Sequence, residues 1–435
     1  MGVIILNNFR REQIGSGIYF STIMDNRFKT GLITVLFQTE IDERKCLAYS
    51  AAAELLAHST KEYPTFLELS RKLDSLYGME ISGGTGGKVG ETQLLKISGV
   101  CIDDSYSLDG ESVYAEMAKL MCSALFEPNA ENGAFNETEF KQIKRQLIDN
   151  IDAQFNEKRI FAKRRLQELM CEGEKYGISL VGKKELVQEL TPENVYDAYE
   201  ELLKTAKIEI ICLTGASDTE SVKKIFTEEF GKIERTPLEC KTDVIEKAET
   251  VREFTECFDV TQSKLLIGFR TACAEPSENV PAEKMMCSVL GGTAHSKLFN
   301  NVREKLSLCY YCSSGMDATK GIMTIESGVQ KENVEKAKAA ILNEIEQMKN
   351  GNITDEEIES TKLSIVNSYT TITDTSSGTL GWYLHQILRG GDIRTPEEEA
   401  KRINAVNKEM IVEAANRLTL DTIYLLTGED KEDEE

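Results

Sequence analysis

Short apolar runs and longer amphipathic stretches alternate along the chain, and they recur in pairs. Residues 31–39 (GLITVLFQT) and 263–271 (SKLLIGFRT) each read as a buried strand that precedes a long helical stretch. Residues 208–215 (IEIICLTG) and 423–428 (IYLLTG) read as strands too, each following a helical segment opened by Thr-Pro-Glu or Asn-Lys-Glu. Between these strands, residues 135–151 (FNETEFKQIKRQLIDNI) and 353–369 (ITDEEIESTKLSIVNSY) share a capped, acidic start and a long amphipathic helix. Matching segments at similar shifts predict an internal duplication. Each half reads strand, helix, hairpin, paired helices, final strand, which is an α+β layer of mainly antiparallel strands with helices on one side. The charged, weakly periodic stretch Lys232 to Thr250 is the expected linker, dividing a domain over residues 1–231 from one over residues 251–435.

Length agrees with that division, because 435 residues exceed what one hydrophobic core usually holds. The formal net charge of -22 argues against nucleic acid or an anionic membrane as a partner, since both demand a basic footprint. The run EDKEDEE at residues 429–435 is expected to be a solvated, disordered end. No start combines basic residues, an apolar stretch and a small-residue cleavage site, and no apolar run approaches the ~20 residues of a spanning helix. A soluble, cytoplasmic protein is expected. The 11 cysteines are scattered through apolar contexts, which suits reduced core thiols. Cys309 and Cys312 form a CxxC, but in a regular strand residues three apart face opposite ways, so a shared metal or disulfide is not expected. The stretch SGGTGGKVG (82–90) lacks the Gly and the Ser/Thr of a phosphate loop and reads as a hairpin turn.

The segment LGGTAHSKLFNNVREKLSLCYYCSS (290–314) resembles the second-domain signature of the pitrilysin/insulinase metallopeptidases. That signature runs as a Gly-Gly turn, Ser-Arg-Leu-Phe, Arg-Glu-Lys and Gly-Leu-Ala-Tyr. It is met here by Gly291, Gly292, Ser296, Leu298, Phe299, Arg303, Glu304, Lys305, Leu308 and Tyr310, with Lys297, Ser307 and Cys309 as departures. The resemblance implies that Arg303 and Tyr310 occupy the positions of an Arg and a Tyr that reach toward the peptide bond at a zinc site. Guanidinium and phenol are both donors able to stabilise a developing oxyanion.

The first half carries the same resemblance through HSTKEYPTFLELSRKLDSLYG (58–78), which is similar to the stretch that follows the family's metal helix. Stepping back places that helix at CLAYSAAAELLA (46–57), where active members carry HxxEH. Two His at i and i+4 share one helix face and grip a zinc ion, while the intervening Glu activates its water. The aligned positions are Ser50, Ala53 and Glu54, so both His ligands and the base are missing. The third ligand, a Glu on a later helix, aligns with Gln146, given an insertion near residues 129–135.

The resemblance implies the LuxS/MPP-like metallohydrolase fold: two homologous α+β domains closing like a clam shell over a chamber. It implies no cofactor on this chain and no catalysis by it alone. The reading that follows is a pseudoenzyme subunit of a heterodimeric zinc peptidase, resembling the mitochondrial processing peptidases. A sister subunit with HxxEH would hold the zinc, Arg303 and Tyr310 would complement its site, and an extended peptide would be the substrate. The alternative is an inactive peptide-binding scaffold with no peptidase partner, and a homodimer stays open for the isolated chain.

Overall fold

A computed structural model describes residues 4–6, 8–108 and 110–429. The acidic run 429–435 lies, after Glu429, outside the described residues. Two compact units form, and neither is one continuous stretch. The first takes the described residues of Met1–Asp152 together with Ile178–Lys241 and Thr373–His385; the second takes Ala153–Gly177, Thr242–Ile372 and the described residues of Gln386–Glu435.

The first unit is built on a seven-stranded sheet. In chain order come β1 (Ile4–Leu6), β2 (Phe9–Gly15), β3 (Ile18–Met24), β4 (Thr30–Glu40), β5 (Glu80–Val89) and β6 (Thr92–Ile102). A separate short pair, β7 (Ala130–Glu131) and β8 (Ala134–Phe135), intervenes before β9 (Lys207–Thr214) returns to the middle of the sheet. The spatial order is β1-β2-β3-β9-β4-β6-β5, with β3 and β9 parallel and the other neighbours antiparallel. β9 is buried along almost its whole length, which is why it runs apolar from Ile210 to Leu213 and does not alternate. Helices Cys46–Leu56, Val113–Phe126 and Pro192–Thr205 supply Leu47, Tyr49, Met117, Met121 and Leu202 to the same core. The last of these starts where its sequence says it should, with Thr191 and Asn194 in a reciprocal cap and Pro192 in the first turn.

The second unit has five strands: β10 (Arg252–Cys257), β11 (Ser263–Arg270), β12 (Cys309–Asp317), β13 (Ile322–Val329) and β14 (Thr419–Thr427). Their order is β10-β14-β11-β13-β12, with β10 and β14 parallel and the rest antiparallel. This repeats the path β3-β9-β4-β6-β5 strand for strand. The segments paired in the sequence occupy equivalent places, β4 with β11 and β9 with β14, so the duplication is carried in strand order and direction.

Along β11 successive side chains serve two layers. Leu265, Ile267 and Phe269 join the core made with helices Val280–Cys287, Val334–Lys349 and Lys408–Arg417. Leu266 instead packs with Tyr424 and Leu426 against Phe161, Ala162 and Leu166 of helix Lys158–Met170. Arg270, on that second face, is buried and bonds Asp421 Oδ2 at 2.8 Å, Glu174 Oε1 at 2.6 Å and the Met170 carbonyl at 3.0 Å. The buried Lys320 pairs with the other Glu174 oxygen at 2.7 Å. Four charges close on one another here, which is the condition for burying any of them.

The glycine-rich stretch departs from the hairpin turn expected of it. Residues 82–89 lie within β5 itself, paired to β6 with a register shift between Thr85 and Gly87, and the chain reverses after Val89. The reason is packing: a Cβ on Gly83 would stand 2.0 Å from the Ala53 carbonyl oxygen and 2.9 Å from the Ala57 Cβ. Only a residue without a side chain at position 83 lets helix Cys46–Leu56 lie that close.

Candidate functional site

Helix Cys46–Leu56 brings Ser50, Ala53 and Glu54 against β5 and β6, in the arrangement that an i, i+3, i+4 spacing dictates. Ser50 is buried, and its hydroxyl donates to the Cys46 carbonyl at 2.9 Å while accepting from Thr85 Oγ1 at 2.6 Å. Gln93 on β6, wholly buried, donates to the same carbonyl at 3.0 Å and to Ser50 Oγ at 3.3 Å. Ala53 is buried and offers a methyl group. Glu54 is the one carboxylate of the set, and burial pushes its pKa up.

The zinc that active members of the family hold on this helix does not fit these donors. A hydroxyl already spent on Cys46, a methyl and a single carboxylate whose charged form is disfavoured supply none of the imidazole or thiolate nitrogen and sulfur that the ion selects. Among the described residues no group of three or more His, Cys, Asp or Glu is arranged to hold a metal ion. His58, the nearest imidazole in sequence, stacks on Phe66 with ring centres 5.0 Å apart.

Gln146 lies exposed on helix Glu137–Ala153. The buried side of that helix carries Glu139, Phe140, Ile143 and Leu147. Glu139 accepts from Ser59 Oγ at 2.6 Å, with Asn129 Nδ2 at 3.0 Å from the same hydroxyl, so the helix is tied to the segment leaving the metal-type helix. Thr85, Gln93 and the Glu139–Ser59 contact were not singled out by the sequence. Pairing across strands and between helices, with no local periodicity, produces them.

In the second unit, Arg303 ends a π-helical turn, Leu298–Lys305, and Tyr310 stands at the start of β12. The turn is fixed from below. Lys297, where the family usually has Arg, is buried and pairs with Glu357 at 2.9 Å, and Asn301 donates to Glu344 at 2.9 Å. Gly291 is required, since a Cβ there would stand 2.6 Å from the Ser314 nitrogen of β12. Ser307, where the family usually has Gly, keeps the left-handed backbone of that glycine, with φ of 51°. Above this support the two candidate groups are accessible. The Arg303 guanidinium lies 4.6 Å from the Phe299 ring centre and 3.5 Å from Glu304, with its side chain 39% exposed. Tyr310 is 59% exposed, and its phenol oxygen accepts from Gln330 Nε2 at 2.7 Å.

The opposite-face expectation for Cys309 and Cys312 is overturned. Register with β13 shifts between Cys309 and Tyr311, and Cys309 falls opposite Val329 while Cys312 falls opposite Ser327. The extra residue is Tyr310, and a bulge of this kind turns the period of two into three.

Residues 189–365 match the family model described as the Peptidase M16 inactive domain. A Bacillus subtilis (strain 168) protein described as a probable inactive metalloprotease, YmfF, is 28% identical over 413 residues, covering 95% of this chain and 96% of that protein. The crystal structure of a conserved protein from Enterococcus faecalis V583 superposes with a TM-score of 0.91 at 28% identity, covering 98% of this chain and 100% of that one. A Peptidase M16 inactive domain from Pseudomonas fluorescens shares the fold at a TM-score of 0.78 and 13% identity, over 97% of this chain and 98% of that one. The matched region takes in the Arg303–Tyr310 signature, the Bacillus relative aligns over nearly the whole chain, and the fold agrees throughout: the chain is similar along its length to proteins described as inactive homologues of the M16 metallopeptidases.

Proposed function

We propose that this chain is the non-catalytic subunit of a heterodimeric zinc peptidase, to which it contributes Arg303 and Tyr310. The observation that carries the reading is a contrast between two signature segments. The Ser50 hydroxyl is consumed by the helix and by Gln93 and Thr85, whereas Arg303 and Tyr310 sit on a supported turn and bulge with their side chains exposed. A fold that maintains donors while giving up the metal suits a chain whose donors serve another chain's chemistry. The partner would carry HxxEH and the zinc, and an extended peptide would be the substrate. We place the pair in the cytoplasm, which suits buried free thiols such as Cys46, Cys101 and Cys212. No helix among the described residues is long and apolar enough to cross a membrane.

The test is affinity purification from the native cell with metal analysis, followed by reconstitution. Zinc should follow the partner, and Arg303→Ala or Tyr310→Phe should lower the reconstituted kcat by roughly 10²-fold, the usual worth of an oxyanion donor. A reconstituted pair at full rate with Arg303→Ala would remove the complementing role. A scaffold without a peptidase partner is the second reading, favoured by the open outer strands β5 and β12 that could each accept an extended peptide. It requires tight peptide capture by the isolated chain and no metal-bearing protein in the purification.

A further inference from the structure

Cys309 and Cys312 share a face because of where their partners stand. Val329 and Ser327 are two residues apart on β13 and therefore on one side of the sheet, and the two cysteines lie opposite them. The two thiols are therefore neighbours on one face, and Ser327 stands opposite Cys312. Ser327 is buried and donates its own hydroxyl to the Tyr311 carbonyl at 3.0 Å. Cys312 is buried, while Cys309 is partly exposed. Donation from the neighbouring Cys312 thiol, with the charge of Arg303, holds the Cys309 thiol down to about 7. Elsewhere Cys46, Cys101, Cys122 and Cys287 are buried and their thiols are pushed up by that burial, which makes them poor nucleophiles.

We propose that Cys309 and Cys312 form an oxidation-sensitive dithiol that hydrogen peroxide converts to an intramolecular disulfide. The Cys309 thiolate attacks one peroxide oxygen, the O–O bond breaks, and the departing hydroxide takes a proton to leave as water, giving a sulfenic acid on Cys309. The Cys312 sulfur then attacks the Cys309 sulfur; the S–S bond forms, the S–O bond breaks, and hydroxide leaves with the Cys312 proton as a second water. Two thiols lose two electrons and two protons, and one peroxide becomes two waters. Cys309 is the attacking group because it is the accessible one, and Cys312 resolves from beneath it. The product closes a small ring around Tyr310 and fixes the backbone that presents it.

The full chain should be treated with hydrogen peroxide and digested with trypsin without reduction. Residues 306–320 contain both cysteines in one peptide, which should lose two hydrogens and regain them with dithiothreitol. Cys309 should react several-fold faster than the buried cysteines at neutral pH, because it is the accessible one and its thiol is held down. Cys312→Ser should stop at a sulfenic acid on Cys309 that dimedone traps, and Cys309→Ser should leave Cys312 unmodified. Phenylarsine oxide, which bridges two adjacent thiols, should protect that peptide from alkylation in the unmutated chain, and this arm decides even if a variant fails to fold. Cys309 advancing to sulfinic acid beside a reduced Cys312, a disulfide from Cys309 to Cys257 or to another chain, or no arsenical protection would each overturn the proposal.

Discussion

Glu54 is a carboxylate on a helix face that is otherwise apolar or hydrogen-bonded, and burial makes its charge a liability. Its folded-state pKa is raised, so the fold favours the protonated form. Stability from this residue is greatest below the ordinary carboxyl range and declines as pH rises through the raised value. Glu54→Gln should therefore raise Tm at neutral pH. The gain should shrink toward nothing near pH 4, as thermal melts at both values would show; equal gains would mean that shape and not charge is responsible. Arg303 and Tyr310 differ in kind, since each is substantially exposed, so their removal should change reconstituted activity and leave the melting of the isolated chain nearly untouched.

At the scale of elements, the close approach of β5 to helix Cys46–Leu56 sets a sharp contrast between two glycines. Gly83→Ala places a Cβ into the Ala53 carbonyl and should cost about 2–3 kcal/mol, the range of a core overpacking that has to move backbone. Gly381→Ala, within helix Ser376–Leu388, meets nothing within 4 Å and should stabilise by about 0.5–1 kcal/mol, because it restricts the unfolded chain and favours helix. Denaturant melts of the two variants would separate them; equal effects would show that β5 can retreat from the helix. The same region marks the reach of sequence reading. Apolar runs located β4, β9, β11 and β14, because a strand buried on both faces leaves its mark in its own residues. The glycines of β5 did not declare themselves as strand, since what they accommodate is a helix remote in sequence. The thiols of β12 were misread for a related reason: a bulge at Tyr310 is decided by pairing with β13, and no periodicity within the strand discloses it. That helix Cys46–Leu56 carries no imidazole or thiolate pair was legible directly, because that is a matter of residue type. The surroundings of Gln146 were not, because which face of helix Glu137–Ala153 turns inward depends on Ser59 and Asn129.

In the molecule as a whole the two sheets repeat one strand path, but they do not end alike. In the first, β1 and β2 extend the sheet beyond β3; in the second, the equivalent strand β10 is outermost. β10 is armoured by its charges, with Glu253 paired to Lys338 at 2.8 Å, Glu256 to Arg165 at 2.8 Å and Arg252 to Glu172 at 3.4 Å. β3 is instead apolar, with Ile18, Phe20 and Ile23 buried while β2 covers its edge. β2 also brings Arg11 to the buried Glu209 and stacks Phe9 on Tyr383. The N-terminal hairpin is thus a guard against self-association, since a bare apolar strand is a template for another molecule's backbone. A chain shortened to begin after Gly15 should form particles whose growth, followed by light scattering, rises with concentration, and lysines placed at the outward positions of β3 should slow it.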